Sequence, residues 1–160
     1  MEKMPITKAG FEKLKKELEY LKTVSILENI REIETARAHG DISENAEYTA
    51  AKERQAFLHG KVQEIENNLA TSNVIDLSDL HNDRVVFGSV VVIEDIATGK
   101  NTKYQLVGPF ESDINENKIS VTSPIGKALI GKNIGDNIKV KTPGGFREFE
   151  IIDFRPGGGD

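Results

Sequence analysis

The spacing of apolar residues changes near the middle of the chain. Up to residue 70, apolar positions recur at alternating steps of three and four, whereas beyond residue 84 they form short runs separated by Gly, Asn, Asp and Pro. The first pattern is typical of helices and the second of strands. The stretch TSNVIDLSDLHNDR at residues 71–84 has no helical repeat. The chain is therefore predicted to be an α+β protein, with long helices first and a small sheet second.

The second helical segment carries the clearer pattern. Its seam consists of Tyr48, Ala51, Gln55, Leu58, Val62, Ile65 and Leu69. Alternating steps of three and four are typical of a coiled coil rather than of a globular helix face. Because the surrounding positions are mostly polar or charged, this helix is predicted to bury a narrow stripe against one partner.

The first helical segment supplies that partner. Thr7 is a suitable N-cap residue, and the repeat continues through Phe11, Leu14, Leu18 and Leu21. The repeat then slips, because Ser25 and Glu28 fall where apolar side chains are expected. A new register is predicted through Ile26, Ile30 and Ile33. Such a stutter locally changes the winding of the helices.

The two seams are joined by a short turn that contains Gly40, which predicts a long antiparallel coiled-coil hairpin. Each arm of about 30 residues would extend roughly 45 Å at 1.5 Å per residue. That length exceeds any domain that the remaining residues could form. The alternative is a pair of helices folded back onto a globular core.

The second half of the chain predicts a small antiparallel sheet with one short helix. Strands are expected at residues 85–93, 101–107, 118–121, 138–141 and 146–152, with turns at residues 97–100 and 142–145. Ser123 and Pro124 begin the helix and Gly131 closes it. The tail PGGGD at residues 156–160 is expected to be disordered.

Composition restricts the functional classes. The chain has no apolar run long enough to cross a bilayer, no secretory signal and no cysteine, so a cytoplasmic location is expected. Its net charge of −5 argues against broad binding to duplex DNA, and the absence of tryptophan argues against base-stacking platforms. Only His39, His59 and His81 could act as acid–base groups near neutral pH, and no Ser–His–Asp or Cys–His set is evident, so no catalysis by the chain alone is expected.

The stretch HGDISENAEY at residues 39–48 joins the two helices and carries three acids. Gly40 can end the first helix. Asp41 and Glu44 can form a capping box for the second helix, and Glu47 lies where the helix dipole favours negative charge. Alternatively, Asp41 and Glu44 could present two oxygens to one Mg²⁺ ion, which would have to be shared with another molecule because two carboxylates bind it weakly. Both interpretations remain open at this point.

Several motifs of the chain occur together, in the same order, in one known family. They are MPITKAGFEKLKKELEYLK, ARAHGDISENAEYTAAKERQAF, Val85–Gly88, ISVTSPIGKALIGK and VKTPGGFREFEII. In these motifs, over residues 4–154, the chain resembles the Gre family of bacterial transcript cleavage factors. The resemblance implies a coiled-coil hairpin at residues 1–75 with an acidic tip at residues 40–47, a linker at residues 76–84, and an FKBP-like domain at residues 85–155.

The resemblance also implies a function. In this family the coiled coil enters the secondary channel of RNA polymerase, and the FKBP-like domain docks at the rim of the channel. Acids that match Asp41 and Glu44 help to hold the second catalytic Mg²⁺ and to position the attacking water, and a backtracked polymerase then cleaves the extruded 3′ end of its own RNA. The chain would thus be a transcription elongation factor without an active site of its own. Mg²⁺ would be held mainly by the polymerase, and the free protein is expected to be a monomer with no membrane partner.

Residues near the two acids have supporting roles in this interpretation. Ser43 and Asn45 could orient the water or the phosphate, and Tyr48 is expected to lock the tip by packing. Arg37 and Lys52 match basic positions of the family and suit phosphate contacts with the extruded RNA. The alternative is that both are solvated surface charges paired with nearby acids.

Two other functions are kept as alternatives. An anti-cleavage relative would occupy the same channel as an inhibitor, and the intact Asp41 and Glu44 argue against it. The other alternative is an independent peptidyl-prolyl isomerase or chaperone. Such an isomerase would need a deep aromatic pocket, whereas the second half of the chain has few aromatic residues and no tryptophan.

Overall fold

The computed structural model describes residues 3–41, 45–80 and 83–157. Two compact units make up the chain. The helical unit comprises residues 11–71, and the sheet unit combines the residues up to Gly10 with those from Ser72 onward. The predicted linker at residues 76–84 and the predicted domain ranges stay predictions, and residues 158–160 of the tail lie outside the described residues. Within the described ranges, no helix combines the length and apolar character needed to cross a membrane.

Two short strands bring distant parts of the sequence together. They are β1 (Met4–Thr7) and β2 (Ser72–Ile75), which pair in parallel with Met4 opposite Ser72. The sequence pattern did not predict this pair, because four residues are too few to show a periodicity. Both strands belong to the sheet unit.

One continuous helix runs from Lys8 to Ala38. It consists of α1 (Lys8–Tyr20), a π-helical turn (Leu21–Ser25) and α2 (Ile26–Ala38). The predicted N-cap is confirmed, because Thr7 Oγ1 accepts a hydrogen bond of 3.0 Å from the backbone N–H of Gly10. Gly40 follows the end of the helix, as predicted, with a φ of +126° that suits glycine.

The π-helical turn lies where the sequence predicted a stutter. A π turn holds about one residue more than an α turn, so it rotates the following helix by roughly 100°. As a result, Ser25 and Asn29 are buried, with 7% and 2% of their surfaces exposed. The predicted register is wrong at Ile30, which the extra residue of the π turn leaves 43% exposed, whereas Ile33 is buried and Ile26 packs against the core cluster.

The second arm is α3 (Ala46–Ala70). Its predicted seam is confirmed, since Ala51, Leu58 and Ile65 are buried and the seam residues between them are half-buried. Leu58 and Ile65 form a core cluster with Leu21. Partly buried residues that pack against this cluster are Leu14, Leu18, Ile26, Val62 and Leu69.

The two arms run antiparallel, as predicted. Lys22, early in the first arm, lies with its Nζ 3.5 Å from Glu66 Oε2, late in the second arm. Further along, Arg54 donates a hydrogen bond to Glu32. These pairs are about half exposed and each contributes at most about 1 kcal/mol. The buried seam therefore supplies most of the stability of the hairpin.

Five strands form the main sheet, and a short helix packs beside them. In chain order the elements are β3 (Val90–Asp95), β4 (Asn101–Val107), β5 (Lys118–Ser120), α4 (Pro124–Leu129), β6 (Asn137–Thr142) and β7 (Gly145–Arg155). The strand order is β5-β4-β3-β7-β6. This arrangement confirms the predicted class, a small antiparallel-rich sheet domain with one short helix after a helical hairpin. One detail differs, because β5 pairs with β4 in parallel.

The first predicted strand of this unit is shorter than expected. Residues 85–89 precede β3 instead of belonging to it. Val85 is fully buried, but its N–H donates to the Lys132 carbonyl and its carbonyl accepts from the Gly131 N–H. Since both backbone groups of Val85 bond to the loop after α4, they are not available to pair with a strand.

The short helix α4 is capped as predicted. Ser123 Oγ accepts a hydrogen bond of 3.1 Å from the Gly126 N–H, Pro124 occupies the first turn, and Gly131 follows with a φ of +83°. The helix contributes Leu129 to a core that it shares with the sheet. The other buried members are Val85, Val91, Ile93, Leu106, Ile119, Ile138, Val140, Phe149 and Ile151.

Candidate functional site

The candidate site is the connection between the two arms. α2 ends at Ala38 and α3 begins at Ala46, so residues 39–45 join them. Ser43 and Glu44, two of the predicted site residues, lie outside the described residues. The described ranges contain the other five, which are Arg37, Asp41, Asn45, Tyr48 and Lys52.

Asn45 closes this connection. Its Oδ1 accepts a hydrogen bond of 3.1 Å from the backbone N–H of Tyr48, which caps α3. Its Nδ2 donates a hydrogen bond of 2.6 Å to the carbonyl of Ala36, near the end of α2. One side chain thus caps the Tyr48 N–H and also bonds the Ala36 carbonyl, which accepts a second hydrogen bond from the His39 N–H.

The prediction that Asp41 caps the second helix is wrong. α3 begins at Ala46, and Asn45 occupies the N-cap position. The physical reason is that an amide side chain can accept from one helix and donate to the other, whereas an ionised carboxylate can only accept. The proposed use of Asn45 to orient water or phosphate stays a prediction.

Two more contacts link the end of the first arm to the start of the second. His39 Nδ1 and Glu47 Oε2 are 2.8 Å apart. The guanidinium of Arg37 lies over the ring of Tyr48, with 5.8 Å between Cζ and the ring centroid. A cation over an aromatic face contributes about 0.5–1 kcal/mol at an exposed site. With Asn45, these contacts fix the two helix ends on either side of Asp41.

Asp41 lies in an exposed position on this connection, and Arg37 and Lys52 are exposed as well. Carboxylate oxygens are the donors that Mg²⁺ takes, and this ion often uses only one or two of them from a protein. The carboxylates of Asp41 and Glu44 are therefore suitable ligands for Mg²⁺. Across the described ranges, no group of three or more His, Asp or Glu side chains is placed to hold a metal ion.

A second concave feature lies in the sheet unit. A cavity of about 350 Å³ is lined by Ile93, Asp95, Tyr104, Arg147 and Phe149, among others. A hydrogen bond from the Arg147 guanidinium holds the pKa of Asp95 below its usual range, against the opposite effect of desolvation. The N–H of Ala97 donates a hydrogen bond of 3.0 Å to the same carboxylate. This pair fixes the turn after β3 to β7.

One residue in the helical unit was missed by the sequence interpretation. Asn29 is 2% exposed in the seam, and its Nδ2 donates a hydrogen bond of 2.9 Å to the Ala51 carbonyl of the opposite arm. The available signal was the step of four from Ser25 to Asn29, together with a small residue at position 51. The apolar stripe through Ile30 masked it.

Comparisons with known proteins identify the family. Residues 4–74 match the family model "Transcription elongation factor, N-terminal", and residues 80–156 match "Transcription elongation factor, GreA/GreB, C-term". The transcription elongation factor GreA of Syntrophus aciditrophicus is 74% identical over 153 residues, which cover 96% of this chain and 95% of that protein. The GreA of Syntrophobacter fumaroxidans is 51% identical over 155 residues, covering 97% and 99%.

A solved structure also matches the chain over its length. The crystal structure of Thermus aquaticus Gfh1 is 31% identical and covers 99% of this chain and 100% of that chain, with a TM-score of 0.44. The matched family models together span most of the sequence, and the relatives match over nearly their whole length. The chain therefore belongs to the GreA/GreB family of transcription elongation factors.

Proposed function

We propose that this chain binds RNA polymerase and stimulates the polymerase to cleave its own RNA in backtracked complexes. The observation that carries the proposal is the way Asn45 bridges Ala36 and Tyr48, because this bridge holds both helix ends next to the exposed Asp41. A carboxylate on a fixed support loses less entropy when it binds a partner's metal ion. Membership of an elongation factor family supports RNA polymerase as the partner.

Asp41 and Glu44 are the residues that would hold the ion, together with ligands of the polymerase. When bound, Mg²⁺ stabilises the negative charge on the attacking and leaving oxygens of a phosphoryl transfer. The chain itself contributes the two carboxylates and their placement. The polymerase contributes the active site, so the chain acts without one of its own.

Arg37 and Lys52 are proposed to contact the phosphates of the extruded RNA 3′ end. The Arg37 guanidinium lies over the Tyr48 ring, and Arg37 is exposed; its several N–H donors suit a phosphate. Lys52 is exposed on α3, six residues after its start. Replacing either residue by Gln should lower the cleavage rate and make RNA binding less dependent on salt concentration.

The test uses a purified polymerase that is stalled, backtracked and supplied with end-labelled RNA. We expect the wild-type chain to shorten the RNA. Asp41→Asn and Glu44→Gln should each slow this reaction by roughly 100-fold, the effect expected when a group that stabilises transition-state charge is lost. Both variants should bind the polymerase almost as well as the wild type, because they keep the shape of the side chain.

Glu34→Gln is the matched control, since Glu34 is an exposed acid on α2 and the change in charge is the same. Its cleavage rate should stay within about twofold of the wild-type rate, which corresponds to roughly 0.4 kcal/mol of activation free energy. A thermal melt of each variant separates the two roles of the acids. If Asp41→Asn or Glu44→Gln strongly destabilised the hairpin but kept full cleavage, the acids would be structural and the proposal would fail.

A further inference from the structure

Two asparagine side chains, one on each arm of the hairpin, donate hydrogen bonds to the backbone of the other arm. Asn29 of the first arm donates a hydrogen bond of 2.9 Å to the carbonyl of Ala51, and Asn45 at the start of the second arm donates one of 2.6 Å to the carbonyl of Ala36. Both acceptors are alanines of the buried seam, with 4% and 2% of their surfaces exposed. The second bridge belongs to the site described above, whereas the first has no assigned role.

Ala51 is the smallest residue in the seam of α3, which leaves room for the Asn29 amide to reach its carbonyl. The other seam residues are larger; they are Tyr48, Gln55, Leu58, Val62, Ile65 and Leu69. An asparagine in the facing seam therefore finds its acceptor in one alignment of the arms. If the arms slid by one turn, about 5.4 Å, Asn29 would lie opposite the larger Tyr48 or Gln55 and would lose the Ala51 carbonyl.

The sequence of α2 contains a competing apolar stripe. It consists of Ile26, Ile30 and Ile33; in the observed phase Ile33 is buried and Ile26 packs against the core cluster, whereas Ile30 is 43% exposed. Bringing Ile30 to the position of Asn29 would require α2 to rotate by roughly 100°, the angle between consecutive residues. At this single position, burial of apolar area alone would favour isoleucine over asparagine. The observed phase instead buries a polar amide and gives it a hydrogen bond.

We infer that Asn29 is a positioning residue: its bond to Ala51 selects the rotational phase and the register of the first arm, and thereby sets where the acidic tip is held. A buried asparagine that specifies register at some cost in stability is an established device in coiled coils. Within the described residues, no buried side-chain nitrogen or oxygen lacks a partner, so the amide is fully accommodated in this phase.

The phase set by Asn29 reaches the tip through Ala36. Ala36 is seven residues after Asn29, which is two helical turns, and it lies on the same buried seam. In the rotated phase Arg37 would enter the seam, and the Ala36 carbonyl would turn away from Asn45. The bridge that holds Asp41 in place would then be lost. This consequence for cleavage rests on the proposed function, whereas the phase of the helix does not.

The chain has no cysteine, so two introduced cysteines can carry spin labels without interference. Arg31→Cys and Glu53→Cys place labels on exposed faces of the two arms. The full-length protein with Asn29 intact should give one narrow distance distribution. Asn29→Leu should give a second population displaced by roughly 5 Å, the size of a one-turn slip. Its melting temperature should be unchanged or higher, because the change adds apolar burial.

Ile33→Val is the matched control, since it trims a neighbouring buried residue without touching the hydrogen bond. It should lower the melting temperature slightly and leave the distance distribution narrow. Asn29→Ala removes the donor without adding bulk and should broaden the distances as Asn29→Leu does. A single narrow distribution in both Asn29 variants, equal to that of the parent, would overturn the inference.

Cleavage assays separate the inference from the proposed function. With a backtracked polymerase, Asn29→Leu should lower the maximal cleavage rate at least tenfold while the concentration for half-maximal effect changes less than threefold. If the parent protein stimulates no cleavage, the proposed function fails, but the distance measurements still decide the role of Asn29. If Asn29→Leu shifts the distances and keeps full cleavage, the phase is set by Asn29 and the link to the tip is wrong.

Discussion

The Glu111 carboxylate binds both the backbone N–H and the side-chain hydroxyl of Thr7. The carboxylate accepts a hydrogen bond of 2.8 Å from the Thr7 N–H and a second from the Thr7 hydroxyl, and it also accepts one of 3.0 Å from the Gly108 N–H. One acid therefore ties the end of β1 to the loop that follows β4. The backbones approach closely here, since a Cβ on Gly108 would lie 1.8 Å from the Pro5 carbonyl oxygen.

Replacing Glu111 by Ala should destabilise the sheet unit by about 1–3 kcal/mol, because two backbone N–H groups would lose their acceptor. Amide hydrogen exchange should become faster at Thr7 and Gly108. Glu116→Ala is the control, since Glu116 is an exposed acid whose Oε2 lies 3.3 Å from Lys118 Nζ. That substitution should change the free energy of unfolding by no more than about 0.5 kcal/mol. Equal effects of the two substitutions would show that Glu111 is not an anchor.

The two hydrogen bonds of Asn45 can be tested separately. Asn45→Asp keeps the oxygen that caps α3 and removes the N–H that donates to Ala36. Asn45→Ala removes both, and we expect it to lower stability by about 1 kcal/mol through the lost cap. Asn45→Asp should melt near the wild-type temperature but stimulate less cleavage, because the link between the helices is broken. Wild-type cleavage by Asn45→Asp would show that the bridge to Ala36 is unimportant for the tip.

Two glycines of the helical unit should respond to alanine with opposite signs. Gly60 lies inside α3, and no atom comes within 4 Å of the position that a Cβ would occupy there, so Gly60→Ala should stabilise the protein by about 0.5–1 kcal/mol. Gly40 has a φ of +126°, which alanine rarely adopts, so Gly40→Ala should destabilise it. Denaturant unfolding of the full chain measures both. A stabilising Gly40→Ala would contradict the conformation described for the end of α2.

The Asp95–Arg147 pair makes stability depend on pH in a defined direction. Because the hydrogen bond from Arg147 lowers the pKa of folded Asp95, the ionised carboxylate stabilises the fold above its unfolded pKa of about 3.9. That contribution is lost as the pH falls through the lower, folded pKa. Asp95→Asn should therefore lower the melting temperature at pH 7 more than at pH 3.

The control for Asp95→Asn is Asp153→Asn, on an exposed position of the neighbouring strand β7. It should change the melting temperature little at pH 7. A difference between wild type and Asp95→Asn that grew as the pH fell would contradict the assigned direction of the pKa shift.

Much of the fold could be predicted from local signals. The seam of α3 follows from its spacing, and the N-caps Thr7 and Ser123 follow from their position before a helical pattern. These features depend on residues close in sequence, where periodicity and capping rules apply. The location of the stutter was predicted, but its consequence was not. Whether Asn29 or Ile30 enters the seam depends on the π turn and on the small Ala51 opposite.

At the tip, too, the choice of N-cap depends on a contact with the other arm that the local sequence pattern does not show. Asp41 and Asn45 are equally good N-cap residue types, so the sequence pattern favoured the one followed by a glutamate three positions later. The deciding partner was the carbonyl of Ala36 on the other arm. Exposure of Asp41 agrees with its predicted role, but its use as a metal ligand stays a prediction, as does that of Glu44.

The parallel pairing of Met4–Thr7 with Ser72–Ile75 makes residues 11–71 an insertion between two adjacent strands of a single folding unit. During synthesis, β1 leaves the ribosome long before its partner strand exists, so the sheet unit is completed only after the whole insertion has been made. Natural variation in the length of the insertion would leave the strand pairing untouched, provided that a crossover still connects the two parallel strands. Evolution can therefore change the reach of the hairpin without rebuilding the sheet.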